Sequence, residues 1–147
     1  MSNMRYVGYT AMLVTRTKAP VSETRPLVAP AYRLGRLNIP TRMKSGTYRK
    51  FEVMVQNVGA EAWPADGKLH PGIFVNLAYR WFDRNNQVIM EGDRAPFPEP
   101  IHPNDLVTIA LVVKTPRLPG KYRLAIAPVQ EGVCWFNSPD DITVEIY

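Results

Sequence analysis

Cysteine occurs only once in this chain of 147 residues, at Cys134, so no disulfide can form within it. Small β domains made for an oxidising compartment often carry a disulfide, and this one cannot. Long apolar runs are also missing: the stretch at 11–14 is too short for a signal-peptide core and far below the roughly 20 residues of a membrane span. We therefore expect a cytoplasmic chain without a membrane span.

Histidine is scarce as well, with His70 and His102 the only two, and each directly precedes a proline. They lie far apart in the sequence, and neither has cysteines or carboxylates at the spacing of metal ligands. Nothing near Cys134 in the sequence indicates a base that would activate its thiol, and no glycine-rich phosphate loop occurs. We expect no catalytic residues, no metal site and no cofactor, and hence no enzyme.

Acidic residues are almost missing from the first third of the chain. Residues 1–50 hold ten of the 18 lysines and arginines and one acid, Glu23, for a charge of +9, whereas residues 51–147 carry −4. Such a basic segment either lies on an acidic surface, its own or a partner's, or meets a polyanion such as nucleic acid or an acidic glycan. The basic residues considered for this role are Arg5, Arg16, Lys18, Arg25, Arg33 and Arg36.

Helical spacing with caps is absent too, while proline is abundant at 14 residues, which favours short strands joined by rigid turns. From residue 32 onward apolar residues recur with a period of two, as they do in half-buried strands. Seven or so such strands, with turn signals about every ten residues, predict an all-β fold: an immunoglobulin-like two-sheet antiparallel sandwich. The inward positions that we predict are Phe51, Val53, Val55, Val75, Leu77, Tyr79, Trp81, Val107, Ile109, Leu111, Val113, Tyr122, Leu124, Ile126, Ile142, Val144 and Ile146.

Two units are predicted: a basic N-terminal arm at residues 1–30 and the sandwich at residues 31–147. The arm contains one possible strand, roughly Arg5 to Thr15, which could pair with a sheet edge of its own domain or of a neighbour. Within the sandwich, Asn85-Asn86 is predicted as a hairpin turn, because asparagine tolerates positive φ. The proline-rich segment at 95–100 is predicted to be a rigid crossover outside the sheets.

The aromatic residues divide into two groups. Trp81 is predicted to be the core tryptophan, and Tyr122, after a Pro-Gly turn, stands where a tyrosine corner would lie. A second group sits in or beside predicted loops, where aromatic rings next to polar groups suit sugar recognition, and the alternative is that these rings plug the ends of the sandwich while Arg94 pairs with an acid. The candidate ligand-binding residues are Trp63, Arg94, Phe97, Gln130, Glu131 and Trp135.

A series of short motifs runs through the chain in order. The motifs are Gln56-Asn57-Val58-Gly59, Trp63-Pro64, the run at 75–82, Gly92-Asp93-Arg94, the run at 119–124 and the run at 130–136. With these motifs the chain resembles, over about residues 33–147, a bacterial Ig-like module appended to glycosyltransferases and methyltransferases of surface-polysaccharide assembly. It is also loosely similar to the Ig-like central domain of an autophagy receptor. It departs from the family at Asn104-Asp105, where a Gly-Glu pair is usual.

The resemblance implies a non-catalytic accessory or binding module, carbohydrate-related, that acts with a surface-polysaccharide assembly enzyme. Two alternatives stay open. One is a structural protein that forms an oligomer through its arm strand, and the other is a polyanion binder that uses the basic arm. Nucleic acid is the partner we least expect, because the arginine–tyrosine neighbours of the arm belong to no known nucleic-acid-binding motif.

Overall fold

A computed structural model describes residues 25–65, 73–137 and 141–147 of the chain. This part of the chain is built from ten strands, and no helix able to span a membrane occurs in it. The strands are β1 (Tyr32–Leu34), β2 (Arg42–Met43), β3 (Tyr48–Asn57), β4 (Val75–Phe82), β5 (Val88–Glu91), β6 (Ala95–Pro96), β7 (Leu106–Lys114), β8 (Gly120–Gln130), β9 (Cys134–Trp135) and β10 (Ile142–Ile146).

The strands form two sheets that face each other. The smaller sheet has the order β1-β3-β7, and the larger has the order β2-β10-β8-β4-β5, with β6 on β4 and β9 on β8. The consecutive strands β1 and β2 lie in opposite sheets, and β2 runs parallel to the last strand, β10. The other pairs are antiparallel. This arrangement confirms the predicted immunoglobulin-like sandwich.

Trp81 lies at the centre of the core, as the sequence predicted, and is fully buried. Its indole Nε1 donates a hydrogen bond of 2.9 Å to the Lys114 carbonyl at the end of β7, so it joins the two sheets. Tyr79 on the same strand does likewise, because its hydroxyl accepts from the Lys114 N–H at 2.8 Å. The polar atoms of these two large rings are thus satisfied within the core, as burial requires.

Tyr122 forms the predicted tyrosine corner. Its hydroxyl donates to the Leu118 carbonyl at 2.7 Å, which ties the turn between β7 and β8 to the start of β8. The ring packs edge-on to Trp81 with centroids 6.3 Å apart. The predicted hairpin turn is present as well: Asn86 has φ of 62°, and the Asp83 carboxylate accepts from the backbone N–H groups of Asn85 and Gln87.

The proline-rich segment at 95–100 differs from the prediction of a crossover outside the sheets. Ala95 and Pro96 form β6, which pairs with Leu77 and Asn76 on the edge of β4. Proline is compatible with such a position because an edge strand needs only one of its two sides for the ladder. The pairing directs the next side chain, Phe97, into the core, where it is 2% exposed.

Gly92 marks a close approach between β5 and the core. A methyl carbon at Gly92 would lie 1.9 Å from Cζ of Tyr79. We expect Gly92→Ala to lower the free energy of unfolding by about 1–3 kcal/mol, because the ring has to move out of its packed position. Urea unfolding of the variant measures the loss. In a Tyr79→Ala background the same substitution should cost less than about 0.5 kcal/mol. An equal cost in both backgrounds would show that the ring is not the cause.

Candidate functional site

The outer face of the larger sheet carries an unusual set of side chains. On β4, Val75, Leu77 and Trp81 point into the core, so the alternating residues between and after them point outward. Outward-facing positions of an exposed sheet are normally solvated, but Ala78 on β4 and Ala127 on β8 are fully buried. Larger neighbouring side chains therefore cover this face.

The cover is a row of alternating arginine and aromatic side chains, which we call the arginine–aromatic layer. The Arg123 guanidinium carbon lies 4.9 Å from the Phe82 ring centroid, and that of Arg80 lies 5.2 Å from the same ring. Arg80 also lies 4.0 Å from the Trp135 ring centroid, with Arg94 5.1 Å from that ring. These distances are within the range of cation–π attraction, so the rings hold the three arginines in place.

The alanines beneath the layer leave room for its large side chains. Arg80 is opposite Ala125 on β8, whereas Trp135 on β9 is opposite Val129. The Ala78–Ala127 pair lies between these two positions along the strands. Arg80 and Trp135 therefore meet above that pair, and only a methyl group leaves room for them. The small residues and the large ones thus form one packed unit on the outside of the sheet.

Carboxylates accept hydrogen bonds from two of the three arginines in the layer. Arg94 Nε donates to Glu131 Oε2 at 2.9 Å and Arg94 Nη2 to Glu91 Oε1 at 3.3 Å. The same Glu131 oxygen accepts from Asn76 Nδ2 at 2.7 Å. Arg123 donates to the Asp141 carboxylate. These carboxylates are acceptors in ion pairs, a structural role.

Arg80 at the centre of the layer is different. Its Nε is buried and has no hydrogen-bond partner among the residues that the structure describes. Burial lowers the pKa of the guanidinium below its usual value, and the nearby Glu91 carboxylate opposes that shift. Arginine remains charged in proteins, so Arg80 is a half-buried cation whose described contacts are aromatic faces. Its Nε–H is therefore a covered donor without an acceptor.

Two of the candidate sugar-stacking residues lie inside the molecule. Trp63 and Phe97 are 1% and 2% exposed, and their ring centroids are 5.9 Å apart. Phe136 closes this cluster, edge-on to Trp63 at 5.2 Å. Rings packed this way offer no face to a ligand in solution, so the structure contradicts a stacking role for Trp63 and Phe97. They plug one end of the sandwich, as the alternative interpretation proposed.

The Gln130 side chain also forms its hydrogen bonds within the protein. It is 1% exposed, accepts from the Leu27 N–H at 2.9 Å and donates to the Arg25 carbonyl at 3.3 Å. The structure thus removes Gln130 from the candidates as a ligand contact and makes it an anchor for the end of the arm. Of the predicted residues, Arg94, Glu131 and Trp135 remain, and the structure brings these three together in one layer.

The described end of the arm is tied to the body by Glu61. One carboxylate oxygen accepts from Arg25 Nη2 and the other from the Val28 N–H, both at 2.6 Å. Arg33, on β1, and Arg36 are exposed. The other predicted arm residues, Arg5, Arg16 and Lys18, and the possible strand from Arg5 to Thr15 lie outside the described residues.

Sequence reasoning missed Arg80, Phe82 and Arg123, which are three of the five side chains of the layer. A signal was present, because these residues occupy outward positions of two strands that are paired in the sheet. The outward positions of β8 also carry alanines where solvated residues would be expected. A run of small residues flanked by arginines and aromatics indicates a covered outer face. The period of two alone predicts that this face is exposed.

Comparisons with known proteins give no assignment of family. No protein-family model matches this chain, and no curated protein matches it in sequence. Among solved structures, it is similar to the CARDB domain of the PF1109 protein of Pyrococcus furiosus, with TM-score 0.48, 14% identity and coverage of 82% of this chain and 97% of that one.

Two larger proteins contain a similar region. One is the alkylpurine DNA glycosylase AlkC of Pseudomonas fluorescens, bound to DNA with an abasic site analog, with TM-score 0.48, 9% identity and coverage of 78% of this chain and 30% of that one. The other is a β-glucosidase of Listeria innocua in complex with laminaribiose, with TM-score 0.47, 14% identity and coverage of 80% and 16%. The chain thus spans less than a third of either protein.

The contact between Arg80 and Trp135 can be measured with a double-mutant cycle. We expect Arg80→Met and Trp135→Leu to show a coupling free energy of about 1–2 kcal/mol, because the cation is partly desolvated. Urea unfolding of the four proteins gives the value. The exposed pair of Arg42 over Tyr147, at 4.4 Å, is the matched control and should couple by less than about 1 kcal/mol. Equal coupling in both pairs would contradict a special role of the layer.

The Glu61 anchor should respond to pH. Hydrogen bonds from the Val28 N–H and from Arg25 hold the pKa of the Glu61 carboxyl below its ordinary value of 4.5. The anchor therefore stabilises the folded chain above about pH 4.5, and this contribution is lost as the pH falls through the lower, folded-state pKa.

The NMR chemical shift of the Val28 amide reports the protonation of Glu61 directly. We expect it to titrate with a midpoint below 4.5, and Glu61→Gln should abolish the titration. A midpoint at or above 4.5 would contradict the proposed contacts.

Proposed function

We propose that this chain is a non-catalytic binding module that recognises an acidic carbohydrate on its arginine–aromatic layer. In this proposal the module serves an enzyme of surface-polysaccharide assembly. The resemblance in sequence supports the biological setting, and the geometry of the layer supports the ligand class. The carboxylates in the layer are paired with arginines, so none of them is placed as a free general base or nucleophile.

The state of Arg80 is the observation that carries the proposal. A covered guanidinium N–H without an acceptor leaves the folded protein short of a hydrogen bond. The residue as a whole is half-buried, so an incoming carboxylate can bond to the guanidinium and reaches Nε once the covering side chains shift. Arginine suits this task because its planar fork of donors matches the two oxygens of a carboxylate. The guanidinium carbon lies over the Trp135 and Phe82 rings, so little ordering of the side chain is needed when a ligand binds.

The charge balance of the layer favours a sugar acid over a densely charged polyanion. The three arginines are accompanied by Glu91, Glu131 and Asp141, so the layer carries little net charge. A nucleic-acid surface requires an excess of cations to displace counterions from the phosphates. An acidic polysaccharide carries its carboxylates one sugar apart, and its hydroxyl groups can bond to a polar side chain such as the partly exposed Glu131.

Oligosaccharide titrations test the proposal. Tetragalacturonate is the probe, and a neutral tetrasaccharide of the same length is the control ligand. We expect the acidic probe to shift amide resonances of β4, β8 and β9 in the full chain. Arg80→Gln should weaken this binding by about ten- to a hundredfold, which corresponds to the loss of one hydrogen bond between charged groups.

Arg42→Gln is the matched control variant. Arg42 also contacts a ring and a carboxylate, Tyr147 and Glu145, but it is exposed and lies on β2 at the far edge of the larger sheet. This variant should bind the acidic probe as tightly as the parent protein does. Equal binding of the neutral probe, or an Arg80→Gln variant that binds normally, would refute the proposal.

A further inference from the structure

Three turns lie at one end of the sandwich: those between β2 and β3, between β4 and β5, and between β7 and β8. The Gly46 N–H of the first turn donates to the Pro116 carbonyl of the third at 2.9 Å. Arg84 of the second turn lines the same surface hollow as Lys121, at the start of β8. We call this the cationic end, because exposed lysines and arginines lie in or beside all three turns: Lys44, Arg49, Arg84, Arg117 and Lys121.

Acidic residues are scarce at the cationic end. Asp83 is the one acid in the three turns, and its carboxylate accepts from backbone N–H groups of its own turn. Glu145, opposite Lys121 in the sheet, is paired with Arg42. The loops from β3 to β4, β6 to β7 and β8 to β9 lie at the opposite end. Their described residues include no lysine or arginine but four acids: Glu61, Glu99, Asp105 and Glu131.

An exposed leucine lies among these cations. Leu118, in the turn between β7 and β8, is 75% exposed, more than any other large apolar side chain of the described residues. Its carbonyl accepts from the Tyr122 hydroxyl at 2.7 Å, which fixes the turn, and Arg117 precedes it in the sequence. A leucine that stays in water contributes little to folding. Its hydrophobic free energy therefore remains available to a partner with an apolar interior.

Two exposed tyrosines belong to the same end. Tyr48 begins β3 directly after the turn from β2, and Tyr147 lies beside that turn because its carbonyl accepts from the Ser45 N–H at 2.7 Å. Their side chains are 62% and 51% exposed. Tyrosine is favoured at the boundary between water and hydrocarbon, since its ring is apolar and its hydroxyl is polar. The cationic end thus combines positive charge, a leucine and interfacial aromatic rings.

We propose that the cationic end binds the surface of an anionic lipid bilayer. The lysines and arginines meet the lipid phosphates, and Leu118 inserts below the headgroups. Cations alone would suit any polyanion, but a nucleic-acid duplex presents phosphates without an apolar layer beneath them. The exposed leucine therefore favours the bilayer. This surface is separate from the arginine–aromatic layer, which contains none of the five cations of the cationic end.

Vesicle sedimentation of the full chain tests the role of the leucine. The probes are vesicles that contain phosphatidylglycerol and vesicles of phosphatidylcholine alone. We expect binding to the anionic vesicles only, and weaker binding as the salt concentration rises. Leu118→Ser should weaken binding about tenfold or more, because a leucine side chain no longer enters hydrocarbon. Val28→Ser is the matched control and should bind as the parent does, since Val28 is 72% exposed but lies beside Glu61 at the opposite end.

The charges are tested by Arg117→Gln combined with Lys121→Gln. Each lysine or arginine near an anionic membrane contributes roughly fivefold to binding, so this variant should bind about 25-fold more weakly. Arg33→Gln combined with Arg36→Gln removes the same charge elsewhere, because Arg33 lies opposite Gln56 near the other end of β3. This control should change binding by less than about twofold, since charges beyond a Debye length are screened.

The parent and all variants should unfold at the same urea concentration, because every changed side chain is exposed. Failure of the parent to bind the anionic vesicles, or equal binding to both kinds of vesicle, would overturn the proposal. Equal losses in a variant and its matched control would do so too. Binding to a short DNA duplex that is tighter than vesicle binding and unchanged by Leu118→Ser would also overturn it, because the surface would then serve nucleic acid.

Discussion

The pairing of β4 with β8 is the interaction on which the rest of the molecule depends. Val75–Phe82 pairs along its whole length with residues 123–130 of β8, and this ribbon is buried on both faces. Trp81 and Tyr79 on the inner face are bonded to the end of β7, which fixes the distance between the two sheets. The ligand surface that we propose is the outer face of the same ribbon. A backbone covered on both sides is rigid, as a preorganised binding surface requires.

The outer layer represents a balance between desolvation and attraction. Covering Arg80 removes water from a charge, an unfavourable step that the two aromatic faces and the nearby Glu91 carboxylate partly offset. A hydrophobic layer of the same size would involve no such desolvation, so the arginines are poorly explained by stability alone. In the function that we propose, a ligand supplies the acceptor that Arg80 lacks.

The sequence predicted the fold well where one face of a strand is buried, and it failed where both faces are. On β3 and β7 the period of two identifies Val53, Val55, Ile109 and Leu111 as inward, and all four are buried. On β4 and β8 the outward positions carry Ala78 and Ala127, whose burial depends on long-range contacts that no local pattern records. Trp63 and Phe97 were misjudged for a related reason: loop residues at the end of a sandwich can fold back over the core.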